Sequence, residues 1–390
     1  MTGRSSDAGK RRRVRFDRNE FSGAFGDIGT DFPLIAGLIL TAGLDPASVL
    51  VLFGAMQVLT GVTYGIPMPA QPLKAMAAIT ITQRLDAEVL VGGGFAIGGL
   101  MLVLTLTGII ERLARAVPVA VVRGIQFGLG LQLALLALRN YIPADGNQGW
   151  ILAGLTFTIV VALLGNRRFP PALPAIALGV VYAVVLRFDS ASFAGSLGLT
   201  LPRFAMPDPS AVVQGLVLLA LPQLPLSLGN SVLATHRLAE DLFPDAGIGL
   251  RKIGLTFSAM NLINPFFGGV PTCHGSGGIA GHYQFGGRTG GSVLVYGTLY
   301  LALGLFAAAG FGEAVELFPL PVLGVILAFE GLSLMTCVGT LERAELKTAL
   351  LVGLIAAGVP YGYLVGAVVG MVVLRIEGVR KRASDEAHRR

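Results

Sequence analysis

The sequence predicts an all-α polytopic membrane protein, folded as two repeats of seven segments that enter the bilayer in opposite orientation. Three observations predict it. The first is polarity. Of 390 residues, 53% are hydrophobic and 13% charged, and the mean hydropathy is +0.72, whereas an ordinary soluble domain carries about 25% charged residues. The second is that apolar runs of roughly the 20 residues needed to span a bilayer recur from residue 21 to residue 375. The third is an internal repeat. "GIPMPAQPLKAMA" (65–77) lies over "GVPTCHGSGGIAG" (269–281), with Pro67 on Pro271 at an offset of 204. "VPVAVVRGIQFGLGLQL" (117–133) lies over "FPLPVLGVILAFEGLSL" (318–334) at an offset of 201, with Pro118 on Pro319 and Gly130 on Gly331. Seven is odd, so two such halves must be inverted, which is the design of many secondary transporters.

The first segment, about 21–41, contains "FGDIGTDFP" (25–33), which puts Asp27 and Asp31 at i,i+4 on one face. They are either solvated at the cytoplasmic entry or candidates for proton coupling and gating. A second segment runs over 46–64. The third, 66–82, is broken by Pro67, Pro69 and Pro72. Proline inside a helix forfeits a hydrogen bond, and irregular backbone at membrane depth survives only when buried in protein or facing a cavity. "IPMPA" therefore reads as a short extended piece, followed by a half-helix from Gln71 with Pro72 in its first turn. Lys74 then stands one turn in, on the face of Gln71, either towards a cavity or snorkelling to the interface.

Segments follow at 88–109, 117–138, 149–165 and 170–187, and a polar connection at 188–209. The eighth, 210–236, carries "LPQLPLSLGNSV" (221–232), whose Gln223, Ser227 and Asn230 share a face at i,i+3 and i,i+4 spacing. After 248–266 comes a second broken segment, 270–283, with Pro271 and then Gly275, Gly277 and Gly278; glycine permits close approach of backbone to a ligand. Its half-helix is expected to begin near His274. The last segments are 290–310, 317–337, 345–358 and 360–375. Glu330, isolated in the twelfth, reads as a structural hydrogen-bonding group. Fourteen segments result, some short enough that twelve full spans is the alternative.

Charge sits at the ends, in "KRRRVRFDR" (10–18) and "RIEGVRKRASDEAHRR" (375–390), and without these tails the +6 net charge vanishes. Basic residues beside spans stay on the cytoplasmic side. Residues 1–20 and 376–390 thus read as cytoplasmic tails, not as a nucleic-acid surface, and "ERLAR" (111–115), "NRRFP" (166–170), "HRLAEDLFPDAGIGLRK" (236–252) and "ERAELK" (342–347) as inside loops. No secretory signal precedes the first span. Cys273 and Cys337 make neither a disulfide framework nor a metal site, and four scattered histidines give no zinc spacing. No GxxxxGK[ST] run suggests ATP hydrolysis. No nucleophile–base pair suggests an enzyme. No cofactor or metal is expected.

Two half-helices pointing their N-termini at each other, each carrying roughly half a positive charge and free N–H groups, make an anion site. The expected donors are Gln71 and Lys74 from one half-helix, Thr272, His274, Gly275 and Ser276 from the other, and Gln223 and Asn230 from the eighth segment. His274 is equally readable as a packed histidine, and Cys273 as a small filler.

"FGDIGTDFP", "GIPMPAQPLKAMAAI" and "GGVPTCHGSGGIAGHYQFGGRTG" resemble the signature segments of the molybdate transporter family, relatives of the sulfate permeases. The likeness covers about 21–375. The chain departs from the family pattern at Ala70, Leu73, Thr272, Ser276 and His282. The resemblance implies the seven-plus-seven inverted-repeat fold shared with uracil permease. A core domain would comprise spans 1–4 and 8–11, mainly 21–138 and 210–310, and a gate domain spans 5–7 and 12–14, 117–187 and 317–375. No STAS domain is expected after the last span. It implies a secondary transporter for a tetrahedral oxyanion, molybdate before sulfate, in a plasma membrane of the bacterial inner-membrane kind. Proton coupling and a homodimer are part of the expectation. A nucleobase permease and, from a different class, an anion channel are the alternatives.

Overall fold

A computed structural model describes residues 14–166, 170–186 and 197–388. Helix α1 (Arg18–Ala24) begins where the Asp17 carboxylate accepts from the Asn19 and Glu20 N–H groups, and the chain bends by 40° into α2 (Ile28–Ala42). Helix α3 (Pro46–Tyr64) starts with Asp45 accepting from Ser48 N–H at 2.8 Å and Pro46 in the first turn, where no N–H is needed. It stops at Gly65, whose φ of 64° is a left-handed conformation that glycine adopts without strain. The first half continues with β1 (Ala70–Pro72), α4 (Lys74–Gln83), α5 (Ala87–Leu106), α6 (Ile109–Ala116), α7 (Val119–Leu136), α8 (Gly146–Ala162) and α9 (Ala172–Leu186).

The second half opens with α10 (Pro209–Leu242), a 34-residue helix capped by Asp208 and widened into π turns at Leu216–Ala220 and Ser227–Ala234. It continues with α11 (Leu250–Ile263), β2 (Thr272–His274), α12 (Ser276–Gln284), α13 (Gly291–Phe306), α14 (Ala308–Leu317), α15 (Leu320–Thr336), α16 (Arg343–Gly358) and α17 (Gly362–His388). Among the described residues, five helices are long and apolar enough to cross a bilayer unaided, and the bent pairs α1–α2 and α13–α14 bring that to seven. The remaining segments are shorter helices or strand–helix pieces.

Packing shows how the halves relate. Helix α3 lies along α13, and α5 along α11. These are the second segment with the eleventh and the fourth with the ninth, so exchanging the halves exchanges the two pairs. Small residues let the backbones approach: a Cβ on Gly54 would come within 2.6 Å of the Leu301 nitrogen, and one on Gly304 within 2.7 Å of the Val51 nitrogen. Helix α7 packs on α15, and there Gly130 and Gly331 lie back to back, with a Cβ on Gly331 falling 2.5 Å from the Gly130 carbonyl oxygen. Residues that the repeat superimposes touch each other only on the axis relating the halves. Strands β1 and β2 meet on the same axis, antiparallel, with Gln71 opposite Cys273. Gly130→Val is accordingly expected to wedge α7 from α15 and destabilise the fold by roughly 1–3 kcal/mol, as overpacking does. An unchanged thermal midpoint in the purified variant would contradict the close approach.

Four expectations need correcting. The first half-helix begins at Lys74, not Gln71, because Gln71 and Pro72 are held in β1. The second begins at Ser276, not near His274, for the same reason in β2. "ERLAR" is part of helix α6, not a loop, and "HRLAEDL" continues α10. The last helix does not end at 375 but runs to His388. Residues 1–13, 167–169, 187–196 and 389–390, which include much of the N-terminal tail, part of "NRRFP", part of the 188–209 connection and the end of the C-terminal tail, lie outside the described residues.

Candidate functional site

The site is built on two three-residue strands. Their pairing, Ala70↔His274, Gln71↔Cys273 and Pro72↔Thr272, joins stretches about 200 residues apart. Two strands alone leave outer backbone groups without partners, which in a bilayer costs several kcal/mol each. Two side-chain amides meet that need. Gln57 on α3 donates to the Ala70 carbonyl at 2.7 Å and accepts from the Ala70 N–H at 3.0 Å. Asn261 on α11 does the same for Thr272, at 2.6 and 2.9 Å. The sequence carries a signal for both: "AMQ" (55–57) and "AMN" (259–261) repeat at the same 204 offset as the proline motifs.

Alternation along a strand sends successive side chains to opposite faces. In β2 this separates the expected donors. Thr272 and His274 face α11: the Thr272 hydroxyl takes a hydrogen bond from Asn264, and His274 Nε2 lies 2.7 Å from the Thr256 hydroxyl. The His274 ring also meets Tyr64 edge-on at 5.2 Å. Neither residue lines a cavity at the strand crossing. Cys273 points the other way, with Gln71 opposite, and both line a cavity of about 20 Å³ together with Lys74, Gln126, Gln223 and Asn230. That is room for about one water molecule. Asn230 lines a second cavity as well, of about 650 Å³, with Ser276, Gly277, Arg123 and Arg237. Arg237 is exposed, so this larger space reaches the surface.

Each polar group at the crossing is specifically held. Gln223 Oε1 accepts from the Ala75 and Met76 N–H groups at 2.9 and 3.2 Å, closing the first turn of α4, and its Nε2 donates to Ser227. The Ser276 hydroxyl, in the first residue of α12, donates to Asn230 Oδ1 at 3.0 Å. Gly275 has no side chain because Gln71 occupies that position: a Cβ there would collide with Gln71 Oε1. Gln71 in turn donates to Asp27. Asp27 and Asp31 are both buried inside the protein, not solvated at an entry. Asp31 Oδ2 accepts from the Tyr296 hydroxyl at 3.2 Å, which is 3.1 Å from that of Tyr300.

Lys74 does not stand free on the face of Gln71. Its Nζ lies 2.7 Å from Glu330 Oε1 on α15, and Glu330 Oε2 accepts from Thr30 at 3.1 Å. Reading Glu330 as isolated overlooked this partner, 256 residues away in sequence. The signal was the pair of opposite charges in apolar segments, since intramembrane charges pair with one another. Gln126 and Arg123 on α7, joined by a 2.9 Å hydrogen bond, line the small and the large cavity respectively, and no pattern in the sequence marks them.

Paired broken segments at an inversion axis, with half-helix N-termini beside cavities that Lys74, Gln71, Arg123 and Asn230 line, define a membrane transporter of the seven-plus-seven inverted-repeat class. Solved structures place the fold there. The chain superposes on the transmembrane domain of a cyanobacterium bicarbonate transporter, BicA, with a TM-score of 0.65 and 17% identity, over 90% of this chain and 100% of that one. It superposes on the murine solute carrier 26 family member A9 anion transporter in the inward-facing state with a TM-score of 0.69 and 12% identity, over 97% and 74%. The family follows from sequence. Residues 19–133 and 215–334 match the family described as "Molybdate transporter of MFS superfamily". Molybdate transporter 1 of Arabidopsis thaliana is 33% identical over 359 residues, covering 81% of this chain and 78% of the relative. The chain belongs to the molybdate transporter family, a family of transporters and not of enzymes. The superfamily named in that description is built from six-span halves, whereas the two halves of this chain read as seven segments each.

Proposed function

We propose that the protein is a secondary active transporter importing a tetrahedral oxyanion, molybdate, which binds where β1 crosses β2. The observation that carries this reading is Lys74: a cation in the first turn of one half-helix, lining the cavity that Asn230 connects to the first turn of the other. Lys74, Gln71, Asn230 and Ser276 supply donors, and Gln223 orients α4. The α12 N–H groups add to them, because first-turn N–H groups have no acceptor within their own helix. The core, spans 1–4 and 8–11, moves against the gate, spans 5–7 and 12–14, in an elevator or rocking motion. Buried Asp27 and Asp31 are the proton-coupling candidates.

The termini lie in the cytoplasm of a bacterial inner membrane, and the protein works as a homodimer. In this orientation the 650 Å³ cavity, reached past Arg237, faces inward. Sulfate is the nearest alternative cargo, because backbone donors treat tetrahedral dianions alike. A channel is disfavoured, since a continuous pore is hard to reconcile with a crossing that leaves about 20 Å³. Direct titration of purified protein with molybdate, with sulfate and uracil as competitors, tests the reading. Saturable molybdate binding that uracil does not displace is expected; displacement by uracil and not by sulfate would make the protein a nucleobase carrier.

A further inference from the structure

The Lys74–Glu330 pair joins two groups of helices. Lys74 opens α4, which is tied through the β1–β2 crossing to α3 and α11. Glu330 belongs to α15, which packs on α7, α8 and α9 and also touches α2, the helix of Thr30. The carboxylate is itself an oxyanion. It sits 2.7 Å from the ammonium that lines the small cavity, and its second oxygen is held by Thr30. The pair is not sealed in: the Lys74 and Glu330 side chains keep 23% and 10% of their exposure.

Space and charge give the same answer. A cavity of about 20 Å³ holds about one water, and a tetrahedral oxyanion with four oxygens does not fit beside the pair. One lysine and two helix N-termini of roughly half a charge each sum to about two positive charges, which matches a dianion when Asp27, bonded to Gln71 beside the site, carries its proton. With Glu330 in place one of those charges is already neutralised.

We infer that Glu330 is a built-in occupant of the anion site, a carboxylate that holds Lys74 while the site is empty and that the arriving oxyanion displaces. This rests on the transport reading above. Displacement breaks the ion pair between α4 and α15 and leaves α4 only its packing on α7 on that side, so binding loosens the anion-carrying half-helix and favours translocation. After the anion leaves, Glu330 recaptures Lys74. The empty protein then returns without a buried unpaired lysine, which would be costly. No bond is made or broken in this exchange, and one negatively charged partner of Lys74 replaces another. Glu330 is thus a positioning residue that sets how tightly the anion is held and how readily it is let go.

The test uses the full chain, purified for titration with sodium molybdate at fixed pH and reconstituted into vesicles for uptake. Glu330→Gln removes the competing charge and keeps the shape. It is expected to bind molybdate at least tenfold more tightly than the parent and to turn over at least tenfold more slowly, so that KM and kcat fall together. Glu330→Asp, one methylene shorter with its charge kept, is expected to fall between the two. It carries the test if Glu330→Gln elutes as unfolded protein. Unchanged or weaker affinity in a folded variant, with binding by the parent intact, would overturn the inference and leave a purely structural ion pair. Failure of the parent to bind either molybdate or sulfate would instead remove the transport reading.

Discussion

Lys74→Ala is expected to lower molybdate affinity by about tenfold to a hundredfold, the range for losing one hydrogen bond to a charged partner. The substitution has a second effect that must be separated from the first. It leaves the Glu330 carboxylate without its 2.7 Å partner. Breaking a buried pair by removing one member costs about 3–5 kcal/mol, more than the pair itself contributes, because the remaining charge is uncompensated. Lys74→Ala should therefore also melt at a markedly lower temperature. The double variant Lys74→Ala with Glu330→Gln should regain most of that stability but none of the affinity. The two sites touch, so their effects on stability are not additive, whereas the loss of binding persists in both. Lys74→Arg keeps the charge but brings a planar, larger group into a space of about 20 Å³. It should weaken uptake less than alanine does. Titration and melting of the four proteins decide the matter. Unchanged affinity in Lys74→Ala would mean that the lysine serves only Glu330.

Much of the fold could be read from local physics. Helix α3 occupies 46–64 as expected, because Asp45–Pro46 and Gly65 mark its ends by capping chemistry that acts within a few residues. The two broken segments are visible as proline and glycine clusters, and the repeat offset superimposes Gly130 on Gly331, which the structure then finds in contact. The pairing of β1 with β2 was not visible. Three residues carry too little period-2 pattern to announce a strand, and the partner is about 200 residues away. Without the strand, Thr272 and His274 both read as donors to the anion; the strand turns them to α11 and brings Cys273 round instead. The polar face of α10 is expected as one surface, and Gln223 and Asn230 do line the small cavity together, while Ser227 is taken up by Gln223 and Asn230 also reaches Ser276.

Ser276→Glu is expected to abolish anion binding without unfolding the protein. Ser276 is the first residue of α12 and lines the large cavity beside Asn230, which also lines the small one. It is bonded to the residue that both spaces share, at the positive end of a helix. A carboxylate in a first turn is favourable for the helix itself, by about 0.3–1 kcal/mol, so the variant should fold and its melting temperature should hold or rise. The same carboxylate would occupy the position of the oxyanion and repel a dianion. Ser276→Ala removes only the hydroxyl and its 3.0 Å hydrogen bond to Asn230. It should cost about 1 kcal/mol of affinity, a factor of roughly five. Ser276→Gln separates size from charge: it matches glutamate in bulk, carries no charge, and should retain measurable binding. Titration of all three with molybdate, beside their melting curves, gives a pattern that steric blocking alone does not reproduce. If folded Ser276→Glu binds molybdate like the parent, the anion does not sit at the α12 N-terminus.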